Sequence, residues 1–395
     1  ASSAEGIRWN LNDLFTAAYD PQIENTLADC RTRAEAFAER VRPLMQNPQT
    51  LGAEDLLRAL TDLEIIYEAL GRVGSYAGLL YAADTANPVH QDLEQKVEQR
   101  STEVRNLLLF FELEWLKFDD QTADRLLGNE RLKSYAHYLR NLRRYRPHTL
   151  TEPEEKVVNE KNNTGPNAFG RLFSEITSAL LFTLNIDGKQ EPRNLSQMLS
   201  LLHDPDRALR QRAMETLYRG LSEHGQVLSF IYDTLIQDHL TMDRLRLYSD
   251  PMAQRHLSNE IDPGAVKIMM EVTEEHYGLA QDYFRLKAKL LGLPRIALYD
   301  QYAPLGKEAR PFRYAQAREL ILEAFESFDP YFRQLAAEFF AKNWIDAEMR
   351  NGKRGGAFCA SPSPKLHPYI LCNYDDHLRD AMTLAHELGH GLHGC

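Results

Sequence analysis

The sequence predicts a mainly α protein with one small irregular sheet, set just before a final helix that carries the chemistry. Three observations lead there. Through most of the chain, apolar side chains alternate spacings of four and three, as in Leu56, Leu60, Leu63, Tyr67, Leu70, Ala77 and Tyr81, the period of one helix face. Proline and capping residues mark helix starts at Pro21, Pro88, Thr151 and Asp262-Pro263. Only Asn351 to Tyr374 breaks this pattern: Gly352, Gly355 and Gly356 fall within six residues, and the strand-like Tyr369 to Tyr374 follows.

In order, Trp9 to Phe15 is a short lead-in, and an amphipathic helix runs from Pro21 to Met45. A second helix carries the Leu56 to Tyr81 stripe; Gly71, Gly74 and Gly78 weaken it and imply close approach to a neighbouring helix. A third, after Asn87-Pro88, continues from Leu93 through Trp115 to Phe118, and such long helices pack antiparallel. These aromatic and leucine stripes read as core. Arg140, Arg143, Arg144 and Arg146 read as a solvated helix end that favours positive charge. Thr151 opens a helix that ends near Gly165-Pro166. Leu180 to Asn185, followed by Ile186 to Lys189, suggests a strand and tight turn. Helices resume at Asn194–Leu202, Pro205–Tyr218 and Gln226–Leu247, then run from Asp262 to Leu290 and from Tyr314 to Met349. Asp375-Asp376 is expected to cap the last helix.

Composition excludes several classes. The 395 residues are 43% hydrophobic, which allows a sizeable core in two or three domains. A net charge of -11 argues against a nucleic-acid or anionic-membrane binder. Apolar runs such as Leu107 to Phe111 are too short to span a bilayer. The first residues carry no apolar signal core, and the four cysteines form no C-x-x-C pair; reduced thiols in a cytoplasmic protein are expected.

The last helix contains His386-Glu387-Leu388-Gly389-His390. Residues four apart stack on one helix face, so His386 and His390 can grip one metal ion. Glu387 lies about 100° round from His386, where its carboxylate can reach a metal-bound water without ligating the metal. Two histidines, a carboxylate base and an open position make the donor set of a zinc hydrolase. Ala381, Met382, Leu384, Ala385, Leu388 and Leu392 spread apolar surface round the helix, which predicts burial on most sides. Gly355, Gly356, Ala357 and Phe358 form a candidate edge strand on which an extended peptide could pair, against the alternative of a simple glycine-rich turn.

Five stretches together carry a resemblance: Trp9 to Phe15, Leu298 to Pro304, Arg354 to Phe358, Pro368 to Tyr374 and Thr383 to His390. The chain resembles the oligopeptidase F branch of the thimet-oligopeptidase-like zinc metallopeptidases. The resemblance implies a two-lobed helical shell round a deep channel, with one zinc ion on its floor. It implies a cytosolic endopeptidase for short unfolded peptides, and a substrate-pairing strand at Gly355 to Phe358. The expected division is an N-terminal helical lobe over residues 1–115, a connecting region over 116–195, and the start of the catalytic domain over 196–395.

In that family the third zinc ligand is a glutamate some two dozen residues past the second histidine, and the groups steadying the oxyanion also lie downstream. The resemblance therefore implies that these residues belong beyond residue 395, in a longer enzyme. His393, His367, Asp375 and Asp376 are the nearby in-chain substitutes. Gly389 and Gly391 read as a flat side for the helix that brings the missing ligand. Glu387 is expected to take the proton of the attacking water and pass it to the leaving amine. Two other readings stand beside this one: a helical peptide-binding protein with an incomplete metal site, and a relative that trims dipeptides from peptide ends.

Overall fold

Asp20 and Asn87 each accept a hydrogen bond at 2.9 Å from the backbone N–H two residues on, each precedes a proline, and each starts a long helix. These are α1 (Pro21–Met45) and α3 (Pro88–Leu108), with α2 (Ala53–Ala83) between them. The computed structural model describes residues 2–186, 188–306 and 311–395. The three helices pack together over Leu27, Phe37, Leu60, Leu70, Val97 and Val104. The third predicted helix is interrupted at Leu109 and continues as α4 (Phe110–Lys117), then α5 (Asp120–Leu127) and α6 (Ala136–Arg143). Arg143 and Arg146 are not simply solvated. They donate to Trp115 O, Leu116 O and Phe118 O at 2.9–3.3 Å, supplying partners to the carbonyls at the end of α4.

Thr151 opens α7 (Glu152–Thr164) in a capping box with Glu154, and α8 (Pro166–Ala179) follows at once, a helix the sequence reading passed over. The predicted strand and turn is a hairpin of β1 (Leu181–Ile186) and β2 (Lys189–Asn194); Asp187 lies outside the described residues. The hairpin, α9 (Leu195–Ser200) and α10 (Arg207–Glu223) enclose a second core of Phe182, Leu184, Met198, Leu209, Ala213 and Leu217. Then come α11 (Gly225–Leu245), α12 (Ala253–Ser258), α13 (Pro263–Glu275) and α14 (Tyr277–Leu290). The single helix expected over 262–290 breaks at His276, whose Nδ1 takes the Val272 carbonyl at 2.7 Å while its own N–H turns to Thr273 O.

The helices expected from Tyr314 to Met349 are α15 (Tyr314–Phe328) and α16 (Pro330–Ala341), which end short of Met349. Asp329 precedes a proline, which disfavours helical backbone; it is extended, and its side chain caps Tyr331 N at 2.7 Å. Past α16 the chain enters a three-stranded sheet in the order β3 (Ile345–Asp346), β5 (Tyr369–Leu371), β4 (Phe358–Ala360). Strand β5 pairs parallel with β3 and antiparallel with β4, so β4 is an edge. The last element, α17 (Leu378–His393), lies against this sheet and α15–α16.

Two of the sequence motifs explain themselves here. Trp9 packs on Phe358 and Tyr369 of the sheet, and Asn10 N donates to Asn343 O at 2.7 Å, so the lead-in braces β4 and β5. Asp300, fully buried, accepts from Arg207 and Arg210 at 2.9 Å and anchors the 298–304 loop onto α10. Close approach at the α2 glycines is confined to Gly71, where a Cβ would sit 3.3 Å from Pro362 O, a loop and not a helix.

Candidate active site

Helix α17 is seated by its first turn. Asp380 Oδ2 accepts from His377 N at 3.0 Å and Asp375 N at 2.8 Å, so His377 with Asp380 makes the cap expected of Asp375-Asp376. Ala381, Leu384, Leu388 and Gly391 turn inward. Met382 is 68% exposed, and His386, Gly389, His390 and His393 are exposed with it. The helix is thus buried on one face, not on most of its circumference. Gly391 also faces inward: a Cβ there would lie 2.8 Å from Phe339 Cζ, whereas one on Gly389 meets nothing within 4 Å. Only Gly389 is on the open side.

On that open face the two imidazoles meet. His386 Nε2 and His390 Nε2 are 3.1 Å apart, with the rings nearly perpendicular. Two nitrogens bound at tetrahedral angle to one zinc would be about 3.3 Å apart, given Zn–N near 2.0–2.1 Å, so the pair suits a shared ion. Among the described residues no third histidine, cysteine, aspartate or glutamate joins them. Of the in-chain substitutes, His393 is exposed and does not join the pair, and the other three are engaged elsewhere. His367 stacks on Trp344 and bonds Asp13 Oδ2 at 2.9 Å, Asp375 accepts from Ser200 at 2.6 Å, and Asp376 accepts from Ser3 N at 3.0 Å.

Glu387 is buried at 8% exposure and turns to a cavity of about 500 Å³. Gly356, Ala357, Asn373 and Thr383 share its wall. Two thiols also lie near the carboxylate: burial, with the Glu387 charge adding, pushes Cys359 up to about 11 and Cys372 to about 12. The glycine stretch leads into β4 and is held from both sides. Asn373 Nδ2 donates to Arg354 O and Gly356 O at 3.1 and 2.9 Å, and Arg354 N donates to Ala82 O at 2.9 Å. Gly356 has φ of +82°, a conformation that favours glycine. Buried Lys353 donates to the carbonyls of Asp346, Glu348 and Cys372, with its charge against Asp346 at 2.7 Å. Of the residues singled out from sequence, Gly356, Ala357 and Glu387 therefore meet at one cavity. Gly355 lines an adjoining one, and Phe358 turns back to Trp9.

Residues 200–395 match the model of peptidase family M3, and residues 114–182 match that of oligopeptidase F. The chain belongs to peptidase family M3. It is similar to oligopeptidase PepF of Bacillus subtilis, 25% identical over 86% of this chain and 51% of that protein. It is also similar to an oligoendopeptidase F homolog of Lactococcus lactis, 26% identical over 98% of this chain and 64% of that protein. The fold matches oligoendopeptidase F of Enterococcus faecium with a TM-score of 0.65 at 22% identity, over 80% of this chain and 59% of that one. The chain thus spans about half to two thirds of these relatives. No helix among the described residues is long and apolar enough to cross a membrane.

The cavity also holds residues the sequence reading did not single out. His203, Tyr302, His377 and Arg379 line the Glu387 cavity as well. Burial, helped by Arg379, lowers His203 to about 4, so its ring is neutral at pH 7 and Nε2 accepts from Arg379 at 2.9 Å. The Asp380 carboxylate beside His377 raises that histidine, and burial raises Asp375 against the opposing Ser200 hydrogen bond. Tyr302 belongs to the 298–304 stretch, which was a signal in hand; His203, at the end of a short helix, left none.

Proposed function

We propose that the whole protein is a zinc-dependent endopeptidase of short peptides, working through His386, Glu387 and His390. The carrying observation is the 3.1 Å approach of the two imidazole nitrogens on the same helix that aims Glu387 into a cavity beside β4. His386 and His390 would hold the zinc, with the remaining ligand in the part of the family fold outside this chain's span. An ion held there would supply a polarised water with a pKa of about 7. Glu387 accepts the water's proton and returns it to the leaving amine. The edge of β4 pairs with the substrate backbone, a contact that needs an extended chain and so favours unfolded peptides. Four free thiols suit a reducing, cytoplasmic compartment.

The test is Glu387→Gln in a quenched-fluorescence peptide assay, with zinc content measured alongside. The expected result is loss of turnover with zinc retained; an active variant sinks the role given to Glu387. A peptide blocked at both ends should still be cut. Release of dipeptides from free ends alone would favour a trimming enzyme.

A further inference from the structure

The cavity that Glu387 enters is also lined by a cation, at the start of the same helix, that the chemistry above does not use. Arg379 stacks over Tyr302 with its guanidinium 5.3 Å from the ring centroid, and donates to His203 Nε2 at 2.9 Å. His203 in turn lies against Tyr302 at 4.9 Å between ring centroids. These contacts orient the guanidinium without neutralising it, since one partner is an aromatic face and the other a neutral imidazole. The neighbouring carboxylates are committed. Asp380 accepts from two backbone N–H groups and sits 3.6 Å from His377 Nδ1, and Asp375 accepts from Ser200. Arg379 makes no ion pair among the described residues. An oriented, unpaired guanidinium facing a cavity of this size is a receptor for a carboxylate, which it can bind with two parallel hydrogen bonds.

We propose that Arg379, held by His203 and Tyr302, forms a subsite for a carboxylate of the substrate peptide. This rests on the peptidase reading above. Arg379 and Glu387 are eight residues apart on one helix, about 12 Å along its axis, a distance an extended peptide covers in three to four residues. The subsite therefore reads a position well removed from the cut bond, and the carboxylate comes from a Glu or Asp side chain or from the peptide's own C-terminus.

The experiment uses the full-length protein and a set of end-blocked, fluorescein-labelled peptides in which one Glu is moved stepwise along an otherwise neutral sequence. A Gln peptide and a peptide with a free C-terminus complete the set. Binding by fluorescence anisotropy and cleavage by mass spectrometry are read separately. A Glu three to four residues from the cut should tighten binding about tenfold over Gln, and Arg379→Met should erase that difference. If only the free C-terminus gives the gain, the terminal carboxylate is the ligand. Equal binding of the Glu, Gln and free-C-terminus peptides, or an Arg379→Met variant that keeps the preference, overturns the subsite. Arg379-dependent binding with no cleavage would instead leave the subsite standing and remove the peptidase reading.

Discussion

His386 Nε2 and His390 Nε2 sit 3.1 Å apart on the exposed face of α17, while Glu387, between them in sequence, is buried against the cavity. One helix thus turns the two imidazoles outward and the carboxylate inward by rotation alone. If the pair holds zinc, His386→Ala and His390→Ala should each weaken it by more than the roughly 10–100-fold that loss of an outer partner costs. Zinc retained after dialysis against a weak chelator, measured by mass spectrometry, checks this. Unchanged zinc in either variant would remove that residue from the ligand set.

The two glycines that flank His390 should respond with opposite sign. Gly391→Ala puts a methyl 2.8 Å from Phe339 Cζ, and Phe339 is fully buried with its ring edge-on to Trp344, so it has little room to yield. We expect a loss of about 1–3 kcal/mol in chemical denaturation. Gly389→Ala meets nothing within 4 Å and exchanges a poor helix former for the best one, so a gain of up to about 1 kcal/mol is expected. A destabilising Gly389→Ala would show that the open face is covered in solution.

The contrast shows what the sequence could carry. Helix starts were legible because proline and caps act locally: Pro21, Pro88, Thr151 and Pro263 all open helices. The approach of His386 to His390 was legible because four-residue spacing fixes geometry within one element. Which side of α17 faces the core was not legible, since Met382 and Leu384 look alike until Phe339 and Ile370 arrive from distant sequence. The same holds for the cavity wall, where His203 and Arg379 meet across 176 residues. The break at Asp329-Pro330 was not placed, although the proline is there to read; only the presence of helices over this range was.

Asp300 is the buried post that connects the 298–304 loop, and with it Tyr302, to α10. Burial alone would raise its pKa, but hydrogen bonds from Arg207, Ala297 N and Arg210 outweigh that and hold it below the usual carboxylate range. Arg210, 3% exposed, also donates to the carbonyls of Tyr299, Asp204 and Pro205. Asp300→Ala leaves a buried guanidinium without its counter-charge, which costs about 3–5 kcal/mol. Urea unfolding should show that loss. A change under about 1 kcal/mol would mean the loop is anchored by its apolar contacts alone.

Glu152, the first residue of α7, accepts from both terminal nitrogens of Arg42 at 2.8 and 2.9 Å, tying the end of α1 to the start of α7. The Arg42 hydrogen bonds, with Lys156 adding to them against burial, lower the Glu152 pKa from 4.5 to about 2. A carboxylate depressed in the folded state stabilises it above the unfolded pKa, and that stability drains away as pH falls towards the folded value. The window therefore runs from about pH 4.5 down to about pH 2, and the contribution at neutral pH is on the order of 2 kcal/mol after solvent screening. Many carboxylates titrate in the same range, so the informative quantity is a difference. Urea midpoints of the wild type and Glu152→Gln should differ most above pH 5 and converge as the pH approaches 3 and below. A gap that stays constant with pH would assign the effect of Glu152 to packing instead of charge.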